Sequence, residues 1–331
     1  MAFLRRLPSQ GRLPGGISRH YRLIHDFLLR LLQVGPAARA DPTHGGVRMQ
    51  VIRPSVASEF LKLAGEALLL DEVKHGLAYG IAESLARKPD IYGPEKPWFA
   101  VLLDGAEIVA AALRTPPYRV ILCHMTRHFE AAADALVDAS ITTDAGIPGL
   151  VGERRLGEEF ARLWCKRTGS SVSEVMSQRI YRLLELHEPC YSPGHFRAST
   201  ADDAPLVRRW AESFQLEAVH ETPTAHYLEM MEKRVCEGRV HLWVDEEPVS
   251  MALATRPTRS GITIGGVYTP PEHRRNGYAT SVVAALTKEL LRKYRFCMLY
   301  TDLDNPTSNS IYMRMGYQPH CDSVQYTFHV P

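Results

Sequence analysis

Between Val267 and Tyr317 the chain gathers residue types that can hold an anionic ligand. Arg274-Arg275-Asn276-Gly277-Tyr278-Ala279 follows an apolar run, Gly261 to Thr269, and precedes a helical pattern in which Ala279, Val282, Val283, Leu286 and Leu290 share one face. A helix opening at Gly277 presents unpaired N–H groups and a partial positive charge to whatever lies before it. Gly277 has no side chain to hold a phosphate away, Ala279 is small, and Arg274 and Arg275 add long-range attraction. The competing reading is a basic loop that only caps a helix. Neither a G-x-G-x-x-G fingerprint nor a G-x-x-x-x-G-K-[ST] loop is present, so the anion is not an obvious dinucleotide or nucleoside triphosphate. A second constellation follows: Asn305-Pro306-Thr307-Ser308-Asn309-Ser310-Ile311-Tyr312, then Gly316 and Tyr317.

The elements that must position these residues are legible on both sides. Val240 to Asp245 and Val249 to Thr255 read as a hairpin around Glu246-Glu247, with Gly261 to Thr269 as the third strand and Cys297 to Thr301 as a short fourth. Arg292 and Lys293 are expected in the last turn of the helix that opens at Gly277, where cations suit its dipole. Before the hairpin, Asp202 and Asp203 precede a helix carrying Leu206, Val207, Trp210 and Phe214. The earlier half has a similar plan. Ser55 is placed to cap a helix with Val56, Phe60, Leu63 and Leu68 mostly on one face. Strands are expected at Trp98 to Leu103, Glu107 to Leu113, Tyr118 to His124 and Ile180 to Leu186, with helices at Phe129 to Val137 and Gly157 to Lys166. Pro189 and Ser192-Pro193-Gly194 mark a boundary. Offset by 140 residues, Val109, Ala112, Leu113, Thr115 and Pro117 match Val249, Ala252, Leu253, Thr255 and Pro257, which favours two copies of one α/β unit.

A strand, then R-x-x-G-x-A opening a helix, then a strand, then N-x-x-S-x-x-I-Y-x-x-x-G-Y, resembles the GNAT superfamily of N-acetyltransferases. Within it, Val267-Tyr268-Thr269-Pro270-Pro271-Glu272 and the closing Tyr317-Gln318-Pro319 resemble a bacterial group of predicted acetyltransferases with a degenerate N-terminal copy. The likeness is strong over residues 239–320; the first half matches in layout only, and lacks both the glycine after His124 and the N-x-x-S-x-x-I-Y run. The resemblance implies an α/β (α+β) fold of two tandem units, each a mixed, mostly antiparallel twisted sheet flanked by helices: residues 49–190 degenerate, residues 194–331 catalytic. It implies acetyl-coenzyme A as co-substrate, no metal, and a small-molecule or peptide amine as acceptor. Backbone groups of Val267, Tyr268 and Thr269 would pair with the pantetheine arm and hold the thioester carbonyl. Arg274, Arg275, Asn276, Gly277, Tyr278, Ala279 and Thr280 would surround the pyrophosphate. Asn305 would hydrogen-bond the coenzyme near its reacting end, and Tyr312 would face the sulfur and protonate it as it leaves.

Elementary chemistry agrees with those roles. Attack of an amine on a thioester builds an oxyanion that a fixed strand N–H stabilises, holding amine and thioester in register supplies much of the rate, and a tyrosine hydroxyl suits a departing thiolate. The other reading of Tyr312 is a packing aromatic on a short helix. A lysine-like amine must lose a proton before attack. No carboxylate lies within Gly261 to Thr269; Glu217, Glu221 and His220 are candidate bases, each also readable as a surface residue, with a water chain to a distant carboxylate as the alternative. Glu272, in the loop beside the expected pyrophosphate, is poorly placed. In the first half, Tyr92, Trp98 and Tyr118 either line an acceptor cleft or pack in the core.

Bulk properties narrow the alternatives. The net charge of +2 is unevenly spread: residues 1–48 hold eight arginines, no lysine, two aspartates and no glutamate, which leaves residues 49–331 at −4. A mildly acidic body gives no electrostatic case for nucleic acid. No run approaches the roughly 20 apolar residues of a membrane span; Phe27 to Val34 is short and contains Arg30. The six cysteines form no CxxC pair and suggest a reducing compartment, hence a cytoplasmic protein. The Arg-rich leader resembles a transit peptide, but is expected to be an unstructured extension or a mis-assigned start before Met49. A coenzyme-binding sensor without catalysis, or transfer of another acyl group or to another acceptor, are the alternatives to acetyl transfer. Oligomeric state is not legible.

Overall fold

The computed structural model describes residues 49–125, 128–142 and 146–331, which lie within one compact unit; the expected leader falls outside them. The chain runs β1 (Met49–Ile52), α1 (Ala57–Leu69), α2 (Glu72–Arg87), β2 (Trp98–Asp104), β3 (Glu107–Arg114), β4 (Val120–His124), α3 (Phe129–Ile141), β5 (Gly149–Glu153), α4 (Arg154–Thr168) and β6 (Ser171–Leu183). The second half repeats the plan with β7 (His195–Ala198), α5 (Ala204–Phe214), α6 (Ala225–Cys236), β8 (Val240–Asp245), β9 (Glu247–Thr255), β10 (Gly261–Tyr268), α7 (Tyr278–Leu290), β11 (Phe296–Asp302), α8 (Pro306–Arg314) and β12 (Gln318–His329). The 140-residue offset falls on equivalent strands, since β3 opens at Glu107 and β9 at Glu247.

All twelve strands join one sheet in the order β1-β2-β3-β4-β5-β12-β6-β11-β10-β9-β8-β7. Only β4–β5 and β10–β11 pair in parallel; the other neighbours are antiparallel. The two halves are therefore similar α/β units, but their last strands are exchanged: β12 lies against β5 of the first half and β6 against β11 of the second. Those two strands also pair with each other, from Gln318–Arg182 to His329–Ser171. The neighbour of β11 thus comes from residues 171–183, across the expected boundary at Pro189 to Gly194.

Burial explains the central strands. Residues Phe99–Leu103 and Val109–Arg114 are buried without alternation, as strands covered on both faces must be. One cluster, with Leu136, Phe160 and Trp164, fills the first half; two others lie on opposite faces of the second. A fourth joins the halves: Val73 of α2 packs with Ile180, Phe296 and Met298. Gly76 makes this possible, because a Cβ there would sit 2.5 Å from Met298 Cε. Helix α2 of the first half thereby covers part of the second half-sheet.

Several expectations need correction. Val56, not Ser55, is the N-cap of α1, and Ser55 instead donates its backbone N–H to Glu59. Helix α7 ends at Leu290, so Arg292 and Lys293 lie beyond its last turn. Strand β6 begins at Ser171 rather than Ile180. Helices α2 and α6 and strands β1, β5, β7 and β12 were not anticipated.

Candidate active site

The site is built where two parallel strands part. β10 and β11 pair from Gly261–Phe296 to Ile264–Leu299, and β11 then continues beside β6 as far as Asp302. Past Ile264 the inner edge of β10 has no strand beside it among the described residues. On the other edge a bulge interrupts the pairing with β9 between Gly265 and Tyr268. Gly266 sits there at φ +59, a left-handed conformation that glycine adopts without strain, and a Cβ on it would meet Leu253 at 2.2 Å. Gly266 and Val267 therefore have register partners on neither side. A Cβ at Gly265 would meet nothing within 4 Å, so it faces open space. The two residues after the bulge are less free: Tyr268 O accepts from Ser250 Oγ at 3.1 Å, and Thr269 O from Arg274 Nε at 2.9 Å.

The loop that follows turns back on itself. Arg275 (φ +67) and Gly277 (φ +80) are both left-handed, and Gly277 is the N-cap of α7 with no side chain capping the helix. Arg275, Asn276 and Gly277 are exposed, and Arg275 has no ion-pair partner among the described residues. Ser192, from the linker between the halves, clamps the loop: its Oγ donates to Asn276 O at 2.7 Å, and its N–H donates to Ser281 Oγ at 2.9 Å. Tyr278 donates to Asp245 at 2.5 Å. Ala279 and Thr280 begin the helix beside it.

From the other side, α8 brings Asn305 and Tyr312. Asn305 caps α8 by accepting from Ser308 N at 3.0 Å, which occupies its side-chain oxygen and leaves its amide NH2 as the free donor. Tyr312 is 9% exposed and packs in the same cluster as Ile264 and Leu299, the last paired residues before the strands part. Its ring meets Tyr317 edge-on at 5.9 Å. Burial pushes its hydroxyl up to about 12, and that hydroxyl makes no hydrogen bond within the described protein. Asn309, which sequence reasoning passed over, ties α8 down: its amide donates to Asp302 O and Asn305 O, both at 2.7 Å, and its oxygen accepts from Tyr181 of β6 at 2.8 Å. The spacing of Asn305 and Asn309, one helical turn apart, was the available signal for Asn309; nothing local marked Tyr181.

The carboxylates considered as bases are engaged. Glu217 accepts from Tyr268 Oη at 2.9 Å and Arg274 Nη2 at 2.6 Å, and the Arg274 guanidinium holds it below the usual range. Arg274 is thus tied to Glu217 and Thr269 rather than projecting beside Arg275. Glu221 pairs with Arg119 of the first half and accepts from Gln325 at 3.2 Å. His220 is a left-handed residue at the end of a short π-helical turn, Gln215–Val219. Glu272 is exposed in the loop before Arg274. Among the described residues no His, Cys, Asp or Glu cluster has the makings of a metal site, and no helix is long and apolar enough to cross a membrane.

Comparison with known proteins bears on this arrangement. The sequence model of a family described as FR47-like protein matches residues 244–326, which span β10, α7, β11 and α8. No curated protein sequence matches the chain. Among solved structures, a Drosophila protein superposes with a TM-score of 0.61 at 14% identity, covering 86% of this chain and 99% of its own. A GCN5-related N-acetyltransferase from Sphaerobacter thermophilus follows at 0.54 and 15% identity, covering 86% and 96%. A GNAT-family acetyltransferase from Colwellia psychrerythraea gives 0.51 and 12%, covering 85% and 100%. At these identities the likeness establishes a shared fold extending over both halves.

Proposed function

We propose that this chain is an acyl-coenzyme A-dependent N-acyltransferase, acetyl-coenzyme A being the expected donor. The observation that carries the reading is the parting of β10 from β11 after Ile264–Leu299, with the uncapped start of α7 on one side and a buried, unpartnered tyrosine hydroxyl on the other. A pantetheine arm lies along the free edge at Gly265 and Val267, where the space beside Gly265 fits it. The pyrophosphate sits against the first N–H groups of α7, with Arg275 and Asn276 beside it. The thioester carbonyl meets a backbone N–H of the bulge, which stabilises the oxyanion formed when the amine attacks. The C–S bond then breaks and Tyr312 gives its proton to the departing thiolate sulfur. Burial suits the tyrosine to that step, because it remains protonated throughout the neutral range.

The amine needs a base. Glu217, in the turn after α5, reaches Tyr268 at the end of β10, but its bond to Arg274 makes it a weak base. We assign the first role of Glu217 to fixing Arg274 and Tyr268, and the proton to solvent. The first half acts as a support: Tyr181 steadies α8 and Arg119 braces Glu221. Acceptor identity is tested by mass spectrometry of products from acetyl-coenzyme A and a library of amines, with calorimetry of coenzyme binding alongside. Tight coenzyme binding without any product would overturn catalysis in favour of a sensor.

A further inference from the structure

We propose that the face of the second half-sheet opposite α7 carries an oxyanion-binding pocket built on Arg234 and Arg256, and that the acceptor is an amine bearing a carboxylate or phosphate. The identification of that ligand as the acceptor rests on the acyl-transfer reading; the pocket does not.

Arg256 directly follows β9 in a left-handed conformation, φ +47. Its backbone lies against α2 so closely that a Cβ on Gly80 would be 2.6 Å from Arg256 Cβ. Its Nε is sealed from solvent with no acceptor. Arg234 projects from α6, and its one polar contact is Met231 Sδ at 3.8 Å. Burial, then the like charges of Arg256 and Arg239, lower its pKa, and the other groups acting on it are the hydroxyls of Tyr92 and Tyr227. Arg239 has a carboxylate, Glu237 at 3.3 Å. Arg234 and Arg256 have none among the described residues, yet both are only half-buried and so reachable.

Two further donors share this face. Tyr300 of β11 lies within electrostatic reach of Arg256, and its hydroxyl is sealed from solvent beside the backbone of Leu77 in α2. Thr263 of β10 is sealed and unpartnered at Oγ1. Ile262 and Ile264 belong to the cluster under α7, so alternation turns Thr263 to the opposite face. Guanidinium groups that repel each other while partly withdrawn from water are costly without a counter-charge. Donors gathered without an acceptor are what an oxyanion completes, and the planar guanidinium fork fits carboxylate and phosphate alike. Thr263 stands two residues before Gly265, and Tyr300 directly after Leu299, so the pocket borders the point where the strands part, on the side away from α7.

The test uses the full-length chain with Arg234→Gln and Arg256→Gln. Melting is followed with and without inorganic phosphate or acetate, in saturating coenzyme A to cover the start of α7. Wild type should gain roughly 2–4 °C from the anion that fits, and the variants should gain none. Without anion the variants should melt no lower than wild type, because repulsion has been relieved. Equal anion responses, or variants that melt lower without anion, would overturn the pocket. A second arm compares turnover of amino acids with their methyl esters, and of phosphorylated amines with the parent amino alcohols. Loss of the anion should lower kcat/KM about 100-fold in wild type and have little effect in the variants. Undiminished turnover of the neutral partners would sink the anionic acceptor while leaving acyl transfer standing. An anion response without turnover of any amine would leave the pocket standing and overturn acyl transfer, and the acceptor assignment with it.

Discussion

The two halves repeat one order of elements, and only one of them opens. In the first half β4 and β5 run parallel from Val120–Leu150 to Leu122–Gly152. A Cβ on Gly152 would lie 2.8 Å from Leu122 O, so the glycine there draws the strands together. Beyond them His124 stacks on Phe129 at 4.0 Å, with Arg155 over the same ring at 4.3 Å; an open surface hollow lies past β5 at Glu153, Arg154 and Arg155, and the enclosed cavity between β4, β5 and α2 is about 20 Å³. That is room for about one water. In the second half the glycines do the opposite work. Gly265 leaves space, Gly266 makes the bulge, and Gly277 turns the loop into α7. The same fold therefore gives a wall or a cleft according to where side chains are left out.

The strongest way to break this contrast is Tyr312→Phe. If the second half alone is catalytic, turnover should fall about 10²–10⁴-fold while coenzyme affinity holds, since the interaction exists only in the transition state. Steady-state kinetics with calorimetric binding decides, and an unchanged turnover number would remove Tyr312 from the chemistry. Gly277→Asp should come next. It puts a carboxylate on an anion site and a Cβ 2.7 Å from Ser192 Oγ in a left-handed turn. Coenzyme dissociation constants should rise about 100-fold; an unchanged value in a folded variant would reduce the loop to a helix cap.

A matched pair of alanines sharpens the comparison. Gly152→Ala should cost about 1–3 kcal/mol of stability, as overpacking does, read by denaturant unfolding. Gly265→Ala should leave unfolding nearly unchanged and weaken coenzyme binding, because its Cβ enters space reserved for the ligand. The reverse pattern would mean that the clefts have been assigned to the wrong halves. The halves should also differ in acid. Burial lowers His75 to about 3 and His124 to about 4, both in the first half; in the second half it also lowers His241 of β8, but less far. Their neutral forms belong to the fold, whereas unfolded histidine takes up a proton near 6.5. Stability is complete above that value and declines as pH falls toward 4, by about 1.4 kcal/mol per pH unit for each histidine. Hydrogen exchange at pH 5 should find α2 and β4 opening before α7. Last, Tyr181→Phe removes the hydroxyl that holds Asn309. It should cost about 1 kcal/mol and lower turnover more than coenzyme affinity; no change in turnover would confine the first half to passive packing.

The sequence carried the second half well because its signals are local. β8 was placed end to end, β10 to within one residue, and Gly277 at the start of α7, since hairpin turns, apolar alternation and glycine all act over a few residues; for the same reason β2 and β3 of the first half were placed to within one residue, whereas α6, β7 and β12 of the second were missed. Helix α2 escaped notice because its buried face is small and mixed, with Gly76, Ala78, Gly80 and Ala82 inside; such a face fits a close neighbour and makes no apolar stripe. The engagement of Glu217 and Glu221 was hidden for a different reason. Their partners Arg274 and Arg119 are 57 and 102 positions away. The exchange of β6 and β12 had no local signature either, since each strand finds an antiparallel partner of similar pattern in either arrangement.

That exchange sets a timetable for the chain's birth. β5 has no neighbour on its inner side until β12, residues 318–329, is available, because β6 pairs with β12 and β11 instead. Synthesis at about 5–20 residues per second leaves the first half, although translated early, with an open strand edge for the roughly 165 residues between β5 and β12. Such an edge invites pairing with other chains. A nascent polypeptide of this design cannot finish its first half until the last strand of its second half has been made.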